Sequence, residues 1–232
     1  MSAILECRGL TKNFGRVCAL NNVDLSIEPG RVTGLLGPNG SGKTTLIKLA
    51  NGLLTPSGGE LLIAGEKPGP ATKALVSYLP DRNFLPDWMR VRDMLSFFED
   101  FYPDFRRDKA TEMLARLGVG EELRFGQMSK GTKEKAQLIL VMSREASLYL
   151  LDEPIGGVDP ATRDFILDTI IRNYNPSAAV LISTHLIADV EAALDEVIFI
   201  NSGRIVLHSA VDDIREAQGK SVDAYFREVF KC

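Results

Sequence analysis

Residues 37–44 read GPNGSGKT, between an apolar stretch, VTGLLG, and a segment with helical spacing, TTLIKLANGLL. No other feature restricts the fold as much. Glycines at this spacing let the chain curl so that successive N–H groups converge on one anion. The pattern G-x-x-x-x-G-K-[ST] adds a lysine and a hydroxyl where the helix starts. Such a loop needs a buried strand that hands over directly to a helix N-terminus, whose unpaired donors and dipole favour phosphate. A chance glycine-rich turn would lack those two flanks. The segment therefore predicts a nucleotide phosphate cradle: Gly37, Pro38, Asn39, Gly40, Ser41, Gly42 and Thr45 line it, Lys43 reaches the β and γ phosphates, and Thr44 ligates Mg²⁺.

A second segment, LYLLDEP at 148–154, supplies the acidic half. Four apolar residues form a core strand that delivers Asp152 and Glu153 to its carboxyl end, the edge at which α/β sheets bind ligands. Asp152 can enter a Mg²⁺ shell, and Glu153 can polarise an attacking water.

The rest of the chain agrees with such a core. Near-continuous apolar strands (VTGLL, VSYL, LYLL, AAVLIS, VIFI) alternate with helical patterns, as in a parallel sheet covered on both faces. ILECRGL and CALNNVDLSIEPG alternate like antiparallel strands ahead of it, and from residue 91 to 144 helical periodicity takes over, with Gly118 as a C-cap. The expectation is one α/β domain over 1–232. Its P-loop NTPase core has a predominantly parallel sheet and an N-terminal antiparallel β subdomain (1–90 and 145–210), with an inserted α-helical subdomain (91–144) and a C-terminal helical tail (211–232).

Composition narrows the classes. With 27 Lys and Arg against 31 Asp and Glu the formal charge is −4, which argues against a dedicated nucleic-acid binder but not against a local basic patch. Cys7, Cys18 and Cys232 have no metal-ligand spacing and read as free thiols of a reducing cytoplasm. The longest apolar runs, such as LILVM, fall far short of the ~20 residues that cross a bilayer. Any membrane association is expected to run through a partner.

One stretch resists this simple reading. QMSKGTKEKAQLIL at 127–140 crowds Lys130, Lys133 and Lys135 onto the front of a helix, the end its dipole already makes positive. A solvated face, a nucleic-acid patch or half of an anion site would each account for them.

Taken together, these segments resemble the ATP-binding cassette (ABC) family over nearly the whole chain. Phe14, in KNFG, matches the aromatic that stacks on adenine, although a plain core aromatic is the competing reading. MSKGT at 128–132 takes the place of the signature LSGGQ. GGVDP at 156–160 follows the catalytic glutamate and carries Asp159, and STH at 183–185 ends in the switch histidine, His185. The resemblance implies ATP and Mg²⁺ as cofactors and catalysis by Glu153, His185 and Lys43. It also implies that Ser129 and Gly131 face the γ-phosphate held by a second copy. A polyphosphate there would offset the lysines, while solvated positions for Lys133 and Lys135 remain open. His208, in GRIVLH, reads as an ordinary strand residue.

Two departures from the family pattern stand out. The signature has Lys130 for the usual glycine and Thr132 for glutamine. The loop after VSYLP opens with Asp81 where glutamine is usual, with Asn83 a poorer substitute. A carboxylate binds Mg²⁺ more strongly but donates no hydrogen bond, so Asp81 can sense metal but lacks the donor for outward signalling. These changes resemble small bacterial exporter (ABC-2-like) cassettes with separate membrane subunits.

The resemblance thus implies an ATPase that powers export of a drug, peptide or lipid. It would sit on the cytoplasmic face of the membrane through multi-span subunits, paired with a second ATP-binding subunit (homodimer or heterodimer). Alternatives are a regulatory cassette that moves a membrane partner without transport, or one acting on nucleic acid or ribosomes. Against the latter stand the single cassette and acidic balance. FLPDWM at 84–89 is expected either to be buried under the insertion or to be covered by a membrane partner.

Overall fold

The computed structural model describes residues 3–230. Two long strands, β1 (Leu5–Phe14) and β2 (Val17–Ile27), pair antiparallel, and β4 (Gly58–Ile63) adds to the other edge of β1. Alternation puts Leu5 and Cys7 of β1, and Val23 and Leu25 of β2, on the inner face. Burial pushes the Cys7 thiol up to about 12, so it behaves as an inert core group, whereas Cys18 is exposed.

The main sheet has the order β5-β6-β7-β3-β8-β9. β3 (Val32–Leu36), β5 (Val76–Leu79), β6 (Leu148–Asp152), β7 (Ala179–Thr184) and β8 (Glu196–Asn201) are parallel; β9 (Arg204–Ala210) closes one edge antiparallel. Every residue of β3, β6 and β7 is buried, because both faces are covered. On one face α1 (Lys43–Ala50) joins the N-terminal sheet in a core with Leu35, Leu46, Leu150 and Ile198. On the other, Tyr149, Ile182 and Phe199 pack against α6 (Pro160–Asn173), the short α7 (Ile187–Val190) and the terminal helices α8 (Val211–Gln218) and α9 (Val222–Phe230). The expected tail is therefore part of the core as far as residue 230; its last two residues, Cys232 among them, lie outside the described region.

The helical region has its own core. Leu95 and Phe98 of α3 (Val91–Phe101), Ala110 and Leu114 of α4 (Arg107–Arg116) and Ile139 of α5 (Lys130–Met142) surround Phe125. Asp93 caps α3 by accepting from the Arg90 N–H, 3.1 Å, and Gly118 takes a left-handed φ of 71° just past α4. α5 serves two cores, since Leu138, Val141 and Met142 pack on the main sheet. Arg144 then pins the junction: buried, it donates to the carbonyls of Val76 and Ala74, pairs with Asp104 and stacks on Tyr102.

Two local features go beyond the sequence reading. A short helix, α2 (Pro70–Leu75), grows from a Pro-Gly-Pro stretch whose composition hides it; Pro70 sits at its first turn and the Thr72 hydroxyl accepts from the Gly69 N–H. The stretch 84–89 is neither wholly buried nor wholly exposed. Leu85 and Met89 turn into the helical core, while Phe84 and Trp88 face outward, Trp88 at 68% exposure.

Candidate nucleotide site

β3 runs into the glycine loop as the sequence requires. A Cβ on Gly37 would stand 2.3 Å from the Ile200 carbonyl, and one on Gly42, whose φ is 113°, 2.7 Å from the Ala19 carbonyl. Only glycine lets the loop lie this close to β8 and β2. The loop encloses an open cavity of about 400 Å³, lined by residues 39–45 and across from them by Asp81, Glu153 and His185. Lys43 is 6% exposed; its ammonium donates to the carbonyls of Gly37 (2.8 Å) and Pro38 (3.3 Å) and lies 3.5 Å from Glu153 Oε1. The chain's own oxygens hold the charge where an anion can claim it.

At the end of β6, Asp152 is fully buried. Its Oδ1 accepts from the Thr44 hydroxyl (3.1 Å) and the Ser183 hydroxyl (2.6 Å), and Oδ2 has no partner among the described residues. Burial pushes its pKa upward, against the pull of the two hydroxyls. A buried carboxylate oxygen without a donor, beside a helix-start hydroxyl, is the donor set a hard divalent cation requires, so Mg²⁺ fits here.

Glu153 follows with a left-handed backbone, φ 49°, a conformation costly for a side chain with a Cβ. Its N–H donates to the carbonyl and hydroxyl of Ser183. The turn swings the carboxylate off the strand direction, between Lys43 and His185, whose Nδ1 lies 3.0 Å from Oε2. An ionised carboxylate only accepts, so Nδ1 carries the hydrogen. Ser183, which thus holds both acidic residues, passes unnoticed in the sequence; the signal was its place on the neighbouring strand, opposite Asp152.

The remaining candidates are distributed differently. Phe14 ends β1 at 47% exposure under the Lys12 ammonium, which disposes of a core role, and it does not line the cavity. Asp81 reaches the cavity wall and makes no side-chain hydrogen bond or ion pair among the described residues. Ser129 caps α5 by accepting from the Thr132 N–H, 3.2 Å. Gly131 abuts the start of α6, where a Cβ would meet the Thr162 hydroxyl at 3.2 Å. Asp159 caps α6 by accepting from the Thr162 N–H and hydroxyl, bonds that hold its carboxyl below the usual range. Neither Ser129 nor Gly131 lines the cradle of its own chain. His208 is a strand residue beside Glu196, as expected.

The three lysines need no polyphosphate to account for them. Lys130 donates to the Gly157 carbonyl (2.9 Å), Lys133 to Asp87 (2.8 Å), and Lys135 lies over the Phe165 ring. Of the two readings open for Lys133, the structure excludes the solvated one: its side chain is largely covered, against Asp87 and the Phe125 ring.

A glycine loop opening a helix, a lysine folded into it, and an acidic strand end beside it define a P-loop nucleotide site on a doubly covered parallel sheet. The family model described as ABC transporter matches residues 20–156, more than half of the chain. An uncharacterised ABC transporter ATP-binding protein, YxlF of Bacillus subtilis, is 31% identical over 224 residues, 94% of this chain and 75% of its own. The manganese transport ATP-binding protein MntA of a Synechocystis species is 33% identical over 94% of this chain and 84% of its own. A Nod factor export ATP-binding protein I from Cupriavidus pinatubonensis is 29% identical over 94% and 70%. A solved ATP-binding subunit of an ABC transporter superposes with a TM-score of 0.88 at 27% identity, covering 98% of this chain and 99% of its own. The chain belongs to the ABC transporter ATP-binding family. No helix among the described residues is long and apolar enough to cross a membrane.

Proposed function

We propose that this chain binds ATP with Mg²⁺ and hydrolyses it to drive export of a drug, peptide or lipid through a separate membrane subunit. The observation that carries the reading is the convergence of Lys43, Glu153 and His185 on one cavity beside the unpartnered oxygen of Asp152. A bound triphosphate draws Lys43 away from the loop carbonyls. Glu153 then keeps its hydrogen bond to His185 and is free to orient and deprotonate water. Thr44, Asp152 and Asp81 would hold Mg²⁺, whose charge neutralises the phosphate oxygens. His185 positions Glu153, and Phe14 offers a ring for the base.

Because Ser129 and Gly131 lie outside their own chain's cavity, the site is completed by a second copy, with Asp159 beside them. Export rather than import follows the subgroup resemblance and the Nod factor relative; the manganese relative leaves the direction to experiment. Phe84 and Trp88 present an apolar surface for a cytoplasmic segment of the membrane subunit.

The test is ATPase rate against protein concentration, with and without Mg²⁺. A Mg²⁺-dependent rate that rises faster than linearly supports the reading; a strictly linear rate without dimers overturns the shared site. Trp88→Ala is expected to leave melting temperature and nucleotide binding unchanged while weakening capture by the membrane subunit. A large fall in melting temperature would make Trp88 a structural residue instead.

A further inference from the structure

α5 does more than present Ser129. Three of its polar side chains fall at i, i+3 and i+7, on one face, and each grips a different stretch of loop. Lys130 donates to the carbonyl of Gly157, four residues after Glu153. Lys133 donates to Asp87, whose own carbonyl accepts from the Gly126 N–H. Gln137 is buried and holds two neighbours at once: its Oε1 accepts from the Phe84 N–H (2.9 Å) and its Nε2 donates to the Asn83 Oδ1 (2.8 Å). Asp81 itself, at the head of that loop, makes no side-chain hydrogen bond or ion pair among the described residues.

We propose that Lys130, Lys133 and Gln137 are positioning residues that carry the state of the nucleotide site to the Phe84–Trp88 surface, by a route separate from the Asp81 carboxylate. The proposal rests on the nucleotide reading above. The physical sequence is short. Lys43 now pairs with Glu153, so a triphosphate that captures Lys43 removes a counter-charge from Glu153 and frees the loop 153–157 to shift. Lys130 ties the Gly157 carbonyl to the first turn of α5, so a shift of the loop pulls on the helix start. α5 passes the displacement to residues 83–87 at the two points it holds. Coupling of this kind is reciprocal: whatever seats on Trp88 alters nucleotide affinity by the same factor.

Trp88 is the only tryptophan in the chain and is well exposed, so the route has a built-in reporter. Acrylamide quenching of its fluorescence is measured before and after a slowly hydrolysed ATP analogue with Mg²⁺, and analogue binding is measured separately by equilibrium dialysis. In the wild type the analogue is expected to change the quenching constant. Lys130→Met and Gln137→Leu are expected to bind the analogue as the wild type does and to lose most of that change. Lys130→Arg, which keeps a donor for the carbonyl, is expected to retain it. Lys130 is an exposed side chain, so its variant reads the route even if Gln137→Leu folds poorly. A full Trp88 response in Lys130→Met overturns the proposal, as does a wild type that binds the analogue with Trp88 unmoved. A wild type that binds no analogue overturns the nucleotide reading itself, and the route with it.

Discussion

Two helix starts in this chain carry lysines, and the fold uses them in opposite ways. At α1, Lys43 is buried and turns back onto carbonyls of its own loop, with Glu153 as its counter-charge. At α5, Lys130, Lys133 and Lys135 reach away from the helix, each to a different segment. The dipole is the same at both ends. What differs is the backbone in front: the α1 loop has glycines that β8 and β2 approach too closely for any Cβ, while α5 starts from Ser129, whose side chain occupies the cap. Within one chain, the lysine behind a bare glycine loop stays at the anion cradle, and the lysines behind a capped start serve as ties.

The sharpest way to break this contrast is to remove charge at the first start and find activity intact. Glu153→Gln keeps the shape of the site, and turnover is expected to fall about 10²–10⁴-fold with nucleotide binding retained, read by phosphate release and equilibrium binding. Near-normal turnover would pass the base role to His185. Next in size, Lys43→Ala should weaken nucleotide affinity roughly tenfold to a hundredfold, taking a charge-assisted hydrogen bond as about 1.5–3 kcal/mol. Lys135→Ala is the matched control at the second start, and its affinity should not change.

Ser129→Ala tests the cap itself: helix stability should drop by about 1 kcal/mol in a denaturant melt, with turnover lowered and ATP affinity kept. A fall in affinity would place Ser129 on its own chain's nucleotide. The smallest effect concerns Asp152. Burial raises its folded pKa above the unfolded value, so ionisation opposes folding; the cost is absent below the ordinary carboxylate range and grows as pH rises through it. Asp152→Asn should therefore raise the melting temperature of nucleotide-free protein slightly at neutral pH, with the gain gone at about pH 2–3, below the ordinary carboxylate range. A lower melting temperature at neutral pH would mean the carboxylate is better satisfied than its bare Oδ2 suggests.

Regions governed by short-range rules were readable in advance. The apolar runs at 32–36, 148–151 and 179–183 are fully buried strands, because a strand covered on both faces has no use for polar alternation. The cradle was readable because phosphate chemistry fixes residue type and spacing together. What stayed hidden depends on partners distant in sequence. Ser183 finds Asp152 across the sheet, Gln137 finds residues 83 and 84 some fifty positions away, and Arg144 finds Ala74, Val76 and Asp104. The division of residues 84–89 into buried Leu85 and Met89 and exposed Phe84 and Trp88 is likewise set by the helical core beneath, which hydrophobicity cannot foretell.

The place of β3 in the sheet has a consequence for time. It lies between β7 and β8, with two strands beyond β7 and one beyond β8, and all five of its residues are buried. Transient openings of a protein begin at edges and in weakly held segments, so the amides of β3 should exchange with deuterated solvent among the slowest in the chain. Even during excursions that loosen α3 and α4, the strand that presents the glycine loop stays anchored. Nucleotide capture then meets a frame already in place.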